Sequence, residues 1–299
     1  MTEQKLLPAV NDPEGEAVPD SLLLVVDAHV HVFPDVFFEA IWQWFDRFAW
    51  PIRYRMKAAE VVEFLFSRKI DRVVALSYAH RPGLARDLNK HMAGLCDLDP
   101  RITGFATVFP GEPGAREILE EAFALGLSGV KLHGHLQFFE MDSPALHRIC
   151  EDCSKHGKPL VMHVGREPKL PAYAYERDPH SLYSADKVER ILRGYPELKV
   201  CVPHLGADEF QAYRRMIEHY DNLWLDTAMV LADYLPFNNV PNLNEMRVDR
   251  IMYGSDFPAL PYAWDREIKR LLTVGISEES LARILGQNAI EFLSISRSG

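Results

Sequence analysis

The chain has 299 residues, of which 47% are hydrophobic and 25% charged, a composition typical of a folded protein with a large apolar core. Its formal net charge of -10 disfavours binding to nucleic acid or to an anionic membrane, because phosphate contact needs clustered Lys and Arg. No stretch approaches the roughly 18 apolar residues of a membrane span, and the N-terminus lacks a secretory signal pattern. We therefore expect a cytoplasmic protein that binds a small-molecule substrate. The sequence is compatible with a homo-oligomer.

The chain opens with a stretch rich in proline, glutamate and glycine. Such a composition buries little apolar surface, so residues 1–21 are predicted to form a flexible N-terminal leader. No interior linker interrupts the patterns that follow. The sequence therefore predicts a single domain over residues 22–299.

The first predicted strand ends in an informative motif. An apolar run at residues 22–26 leads into Asp27-Ala-His29-Val-His31. Because a strand advances about 3.3 Å per residue and alternates its faces, His29 and His31 point the same way, about 6.6 Å apart along the backbone. Two imidazoles so placed can bind one metal ion, although two structural histidines would give the same pattern.

The next segment, residues 33–54, is dense in aromatic side chains. They are Phe33, Phe37, Phe38, Trp42, Trp44, Phe45, Phe48, Trp50 and Tyr54. Two interpretations stay open. The segment could fold over a pocket mouth as a lid, or it could be a helix that packs against the end of a barrel.

Short apolar strands then alternate with helical patterns to the end of the chain. After the first strand, strands are predicted at residues 72–77, 102–108, 129–133, 159–163, 198–204, 222–226 and 248–256. Helices are predicted at residues 56–68, 84–95, 115–125, 144–156, 184–193, 208–219, 264–273 and 278–285, the last with Ser277 as its N-cap. Eight strand–helix units predict an α/β fold, the (β/α)8 TIM barrel. A doubly wound sheet would need a glycine-rich loop after the first strand, and His-Val-Phe-Pro stands there instead.

Polar residues cluster at the carboxyl ends of the predicted strands, where barrel active sites are built. They are Asp27, His29, His31, Lys131, His133, His163, His204 and Asp256. Closure of a barrel places its eighth strand beside its first. We therefore expect Asp256 to lie close to His29 and His31.

Several of these motifs resemble a known family. They are Asp27-x-His29-x-His31, Val-Met-His163, Pro-His204-Leu-Gly, Tyr-Gly-Ser-Asp256-Phe-Pro and Gly286-Gln-Asn-Ala289. In this order they resemble the amidohydrolase superfamily, and within it the amidohydrolase-2 branch, which includes amino-carboxymuconate-semialdehyde decarboxylase and many uncharacterised hydrolases. The resemblance spans about residues 22–293.

The resemblance implies a TIM barrel of the metallo-dependent hydrolase type with one divalent metal ion per chain, usually zinc. It implies four ligands, His29, His31, His163 and Asp256, with His204 next to the metal-bound water. Zinc lowers the pKa of its water to about 7, so hydroxide becomes available at neutral pH. Asp256 could act as the general base and His204 could orient the water, while Asp27 could fix a histidine ring.

Lys131 leaves a further alternative open. In binuclear members of the superfamily a lysine on the fourth strand is carboxylated and bridges two metal ions, and Lys131 stands at that place. His204 would then bind the second metal. Otherwise Lys131 could be a cation for the substrate or part of an ion pair in the core. Manganese in place of zinc, or a binuclear centre in place of a single ion, is therefore an alternative.

The substrate leaves weaker signals. Candidate binding residues are Arg166, Tyr173, Lys131 and His133, since an arginine or a lysine can hold a carboxylate. The leading functional prediction is a metal-dependent hydrolase in which activated water attacks an amide, ester or lactone carbon of a small, carboxylated or cyclic substrate. The alternatives are a metal-dependent non-oxidative decarboxylase of a small cyclic or unsaturated acid, and a non-enzymatic metal-containing barrel.

Overall fold

The computed structural model describes residues 13–165, 178–235 and 240–295. Within these ranges eight short strands alternate with helices. The strands are β1 (Val26–His31), β2 (Arg72–Leu76), β3 (Ile102–Gly104), β4 (Val130–His133), β5 (Leu160–His163), β6 (Val200–Val202), β7 (Leu223–Asp226) and β8 (Ile251–Met252). Their residues are buried almost throughout, as expected for parallel strands covered on both faces.

The strands close into a ring. Hydrogen bonds order them as β1-β2-β3 and as β4-β5-β6-β7-β8, with every pair parallel. Two isolated parallel bridges join these sheets: Ala106 pairs with Val130, and Val30 pairs with Phe257. The closed ring confirms the predicted (β/α)8 TIM barrel.

Helices follow the strands around the barrel. They are α1 (Asp35–Phe48), α2 (Ala58–Ser67), α3 (Ala85–Cys96), α4 (Ala115–Ala124), α5 (Gly134–Gln137), α6 (Pro144–Lys155), α7 (His180–Tyr183), α8 (Ala185–Gly194), α9 (Phe210–Ile217), α10 (Arg266–Leu271), α11 (Glu278–Ala282) and α12 (Asn288–Leu293). Short 3-10 turns lie at His204–Gly206, Leu243–Glu245 and Val248–Arg250, and a π-helical turn lies at Arg283–Gln287. Among the helices described, none has the length and apolarity that crossing a bilayer requires.

Strands β3, β6 and β8 are much shorter than the sequence predicts, and the residues after each of them leave the ladder to build the upper end of the barrel. Beyond β3, the backbone N–H of Thr107 donates to Asn89 Oδ1 at 2.8 Å. Beyond β8, the backbone N–H of Asp256 donates to the carbonyl oxygen of His29 at 2.9 Å. Single hydrogen bonds and the isolated bridges at Ala106 and Phe257, rather than continuous strands, therefore position these segments.

The last predicted helix is divided. Ser277 caps α11 as expected, since its hydroxyl accepts the backbone N–H of Ser280 at 3.1 Å. The chain then widens into the π-helical turn and continues into α12 instead of ending at residue 285.

Residues 13–21 of the predicted leader lie against the barrel. Val18 is buried, and its N–H donates to the carbonyl oxygen of Arg68 at 2.8 Å. Glu14 accepts the hydroxyl of Tyr54 at 2.6 Å. The flexibility expected for residues 1–21 stays a prediction.

The barrel interior below the candidate site is apolar. Val161 and Trp224 lie two residues before His163 and Asp226 on their strands, so each pair shares a face. They belong to a buried cluster with Phe105, and Phe292 of α12 packs on Trp224 with ring centroids 5.5 Å apart. This packing fills the barrel and leaves its carboxyl end for polar groups.

Candidate metal centre

Three potential ligand atoms converge where β1 meets the end of β8. His29 Nε2 lies 3.2 Å from His31 Nε2 and 3.6 Å from Asp256 Oδ1, and His31 Nε2 lies 3.0 Å from the same oxygen. The three residues form a group whose ligand atoms all lie within 4.8 Å of one another. The sequence prediction that Asp256 reaches these histidines matches this placement.

The donor set fits a divalent transition metal. Ligands bound at about 2.0–2.2 Å in tetrahedral geometry lie about 3.3–3.6 Å apart, close to the separations in this group. Imidazole and carboxylate together suit zinc and manganese. In the part of the chain that the structure describes, the buried His31 Nδ1 has no hydrogen-bond partner, so this ring is held through Nε2, the nitrogen that faces Asp256.

The backbone of β1 holds Asp256 in its position. Asp256 N–H donates to His29 O, and His31 N–H donates to Phe257 O at 2.7 Å. Asp256 adopts a positive φ of 68°, a left-handed conformation that aspartate tolerates better than most residues. This turn directs its carboxylate back towards the histidines.

Asp226 fixes the ring of His29. Its Oδ2 accepts His29 Nδ1–H at 2.8 Å, which leaves Nε2 as the nitrogen that faces the other ligands. Burial, together with the positive charge of Lys131, lowers the pKa of His29 to about 4. The ring is therefore neutral at pH 7, the state that binds a metal ion.

The same aspartate also holds His204. Asp226 Oδ1 accepts the backbone N–H of His204 at 2.9 Å and that of Ala228 at 3.2 Å. Burial raises the pKa of Asp226, but the charge and hydrogen bond of His29 outweigh it, so the net shift is downward. Asp226 is not among the site residues predicted from the sequence, although it ends a predicted strand as several of those residues do.

Asp27 does not fix a histidine ring as expected, and this prediction is corrected. Its Oδ1 accepts the backbone N–H of His29 at 3.1 Å and that of Ser255 at 3.0 Å, and its Oδ2 accepts the Ser255 hydroxyl. The β1 register shifts between Asp27 and Val30, so the side chain meets the loop after β8 rather than a ring. Burial raises its pKa to about 7 despite these hydrogen bonds.

His163 and His204 form a second pair beside the group of three. His204 Nδ1–H donates to Ala228 O at 2.8 Å, so His204 Nε2 accepts from His163 Nδ1 at 3.0 Å. The ring centroids of His204 and His29 lie 5.4 Å apart. Burial and the neighbouring histidines lower the pKa of His163. Among the contacts described, His163 therefore hydrogen-bonds to His204, and the His204 ring lies next to His29 of the group of three.

Lys131 and His133 of β4 lie on the same side of the site. Lys131 is fully buried, with Nζ 3.4 Å from His29 Nε2. The ring of His133 stacks on that of His163, with centroids 4.3 Å apart and planes 6° from parallel. Arg166 and Tyr173, the other two predicted substrate-binding residues, lie outside the described ranges.

A cavity of about 400 Å³ opens above this centre. Its polar floor contains His31, His163, His204 and Asp256. Its outer wall is apolar and comes largely from α1. The aromatic segment is thus a helix at the barrel mouth whose side chains line the cavity, so the structure combines the two interpretations left open by the sequence.

Known proteins resemble this chain in sequence and in fold. A family model described as amidohydrolase matches residues 26–295. The 2-amino-3-carboxymuconate-6-semialdehyde decarboxylase of Dictyostelium discoideum is 24% identical over 250 residues, which cover 71% of this chain and 67% of that protein.

Solved structures share the fold. The 5-carboxyvanillate decarboxylase of Sphingomonas paucimobilis superposes with a TM-score of 0.65 at 18% identity, covering 92% of this chain and all of that one (100%). The enzyme of the same name from Novosphingobium aromaticivorans, complexed with manganese, gives a TM-score of 0.63 at 18% identity over 94% and 99% of the two chains. With the family model matched over nearly the whole barrel, this chain belongs to the amidohydrolase family, as its ordered histidine and aspartate motifs predict.

Proposed function

We propose that this enzyme is a metal-dependent, non-oxidative decarboxylase of a small cyclic carboxylic acid. One observation carries the proposal: the metal-ligand group lies at the floor of a cavity whose outer wall is aromatic and aliphatic. Among the described residues that line this cavity there is no lysine or arginine. A substrate carboxylate would therefore be held at the floor and separated from water there.

Such surroundings favour loss of carbon dioxide. A carboxylate carries a localised charge that is costly to remove from water, whereas the departing carbon dioxide is neutral. Part of this cost is relieved as the charge moves from the carboxylate into the ring during bond cleavage. An apolar cavity therefore raises the free energy of the bound acid more than that of its transition state.

The chain supplies the remaining functions through named residues. His29, His31 and Asp256 would hold a divalent ion, with His163 and His204 beside them, and zinc or manganese suits these donors. When bound, the ion supplies positive charge that orients the substrate oxygens and withdraws electrons from the reacting carbon. The ring carbon exchanges carbon dioxide for a proton. We propose that the ionised Asp256 takes this proton from water and passes it to the carbon, with His204 orienting the reacting group.

The relatives support this assignment over the leading sequence prediction. The curated relative and both solved structures reported above are named as decarboxylases. Their identity to this chain is low, so the names indicate the reaction class and leave the substrate open.

A hydrolase is the second candidate, and the charge state of Asp256 favours it. Burial raises the pKa of this carboxyl, but the hydrogen bond and charge of His31 and the charge of His29 outweigh burial and hold it below its usual range. An ionised carboxylate beside metal ligands is suited to accept a proton from water.

Product analysis separates the two reactions. Metal-replete protein, loaded in parallel with zinc or manganese, is incubated with a panel of hydroxybenzoates, unsaturated cyclic acids, lactones and esters. The proposal expects carbon dioxide and the decarboxylated product from at least one acid. It also expects Asp256→Asn to lower kcat by at least about 100-fold, while Asp221→Asn, a control at an exposed position, keeps activity. Hydrolysis of a lactone or ester without carbon dioxide release from any acid would contradict the proposal.

A further inference from the structure

The cavity has a second part beyond the metal centre that a single-ring acid would not fill. We define the outer subsite as the described apolar residues at the mouth side of the cavity. They are Phe37, Ile41, Trp42, Phe45, Trp50 and Leu235. Five of the six come from α1 and the loop after it.

This wall is held firmly to the barrel at both ends of α1. Near its start Phe38 is buried, and its ring contacts those of Phe33 and Trp42 at centroid distances of 6.4 and 5.9 Å. After its end, Trp50 Nε1–H donates to Ala259 O at 2.7 Å, and the Trp50 ring lies 5.3 Å from that of Phe45. The side chains of the outer subsite are therefore held in place by packing and hydrogen bonding to the barrel.

The exposure of these residues indicates an apolar occupant. Phe37, Trp42, Phe45 and Trp50 are only partly buried, and they face one cavity that continues to the metal-ligand group. Contiguous apolar surface in contact with water is unfavourable, and its cost is removed when an apolar group covers it. A molecule bound at the floor can extend into this part, because both parts belong to one cavity.

Volume sets the size of this occupant. A benzene-sized molecule fills a cavity of about 150 Å³. The cavity here holds about 400 Å³, so a single-ring acid at the floor leaves room for a group of similar size. The absence of lysine and arginine among the described lining residues indicates that this group carries no negative charge.

From these observations we propose that the substrate is a cyclic acid carrying an uncharged apolar substituent, a second ring or a short alkyl chain, which binds in the outer subsite. The inference rests on the proposed function, because it takes the carboxylate to be at the metal-ligand floor. Phe45 is assigned as a specificity-determining residue, since its ring lies between those of Trp44 and Trp50 on the cavity wall.

Binding of a graded set of acids tests the inference. The probes are 2-hydroxybenzoate and its 4- or 5-propyl and phenyl derivatives, titrated into metal-replete wild-type protein by calorimetry. Each buried methylene tightens binding by about fourfold, so we expect the propyl and phenyl derivatives of at least one series to bind at least about tenfold more tightly than 2-hydroxybenzoate. Equal or weaker affinity of both substituted series in the wild type overturns the inference, with no need for a variant.

Two phenylalanine variants on the same helix locate the effect. Phe45→Ala removes a ring from the outer subsite, whereas Phe48→Ala removes a ring of α1 that does not line the cavity. We expect Phe45→Ala to lose most of the tenfold gain, measured relative to the affinity of the same variant for 2-hydroxybenzoate, whereas Phe48→Ala keeps the gain. The thermal midpoint of each variant controls for folding. An undiminished gain in folded Phe45→Ala overturns the assignment.

Carbon dioxide release with the same acids separates this inference from the proposed function. If the substituted acids bind more tightly but no acid releases carbon dioxide, the decarboxylase proposal is wrong and the outer-subsite proposal is supported. If the acids release carbon dioxide but the substituted acids gain neither affinity nor kcat/KM, the outer-subsite proposal is wrong and the decarboxylase proposal is supported.

Discussion

Asp226 is the residue on which the geometry of the site depends most directly. One buried carboxylate accepts the ring N–H of His29 through one oxygen and the backbone N–H of His204 through the other. It therefore sets the tautomer of His29 and the position of a neighbouring histidine at the same time. Hydrogen bonds of this kind orient metal-binding histidines and strengthen their binding.

Asp226→Asn should weaken metal binding while preserving the shape of the side chain. An amide NH2 in place of Oδ2 would meet His29 Nδ1 as a donor, so His29 would carry its proton on Nε2 and lose the lone pair that faces the metal. We expect metal affinity, measured by competition with a chelator, to fall by about 10–100-fold. The control is Asp221→Asn, whose carboxylate is exposed and paired with Arg247. Equal affinity in both variants would contradict this role.

Asp27 predicts a pH dependence of stability. Burial raises its folded pKa to about 7, well above the usual value of about 4, so the stability it contributes is fully present below about pH 4 and is lost as the pH rises through about 7. Asp27→Asn keeps an acceptor for the two N–H groups and removes this titration. Without metal, we expect the wild type to lose about 1.4 kcal/mol of unfolding free energy per pH unit between about 4 and 7 relative to the variant.

Urea unfolding of both proteins across this pH range measures the difference. Because other titrating groups, including His29, are present in both proteins, their effects cancel in the comparison. If the unfolding free energies of wild type and Asp27→Asn change with pH in parallel, Asp27 does not titrate between about pH 4 and 7.

At the scale of elements, the site depends on how closely the loop after β8 approaches β1. A Cβ added at Gly254 would lie 2.8 Å from His29 Cβ and 3.5 Å from Asp226 Cβ. Glycine at this position therefore lets the strands meet while the loop carries Asp256 to the ligand group. The requirement is one of space, since the φ of Gly254 is not in the left-handed region.

Gly254→Ala is expected to displace His29 and so to disturb both stability and the metal centre. Overpacking of this kind costs about 1–3 kcal/mol of unfolding free energy, and metal affinity should fall with it. The matched control is Gly94→Ala in α3, where an added Cβ meets nothing within 4 Å. Alanine in that helix should be stabilising by about 0.5–1 kcal/mol. Denaturant titration and chelator competition on both variants test the pair, and a Gly254→Ala protein with unchanged metal affinity would contradict the close-approach argument.

For the whole molecule, the fold was predictable because its signals are local and repeated. Apolar runs and helical periodicity mark each strand–helix unit, and closure of the ring then brings Asp256 to His29 and His31. The contacts of Asp226 were not predictable, because the sequence shows that it ends a strand but not which ring its oxygens meet. The role of Asp27 was misjudged because the shift in the β1 register is a tertiary feature with no sequence signal.

The position of α1 likewise depends on tertiary contacts that the sequence does not show. Its aromatic content indicated packing or a lid, but only the structure shows which side chains line the cavity. The predicted substrate residues Arg166 and Tyr173 lie outside the described ranges, so their roles stay predictions.

Metal stoichiometry tests the central claim most directly. Wild-type protein and His31→Ala are purified, loaded with zinc or manganese, freed of excess metal and analysed by elemental mass spectrometry. We expect about one equivalent per wild-type chain and a large loss in His31→Ala, whose ring provides one of the three converging ligand atoms. Two equivalents would indicate a binuclear centre involving Lys131, and no bound metal in wild-type protein after loading would contradict the account.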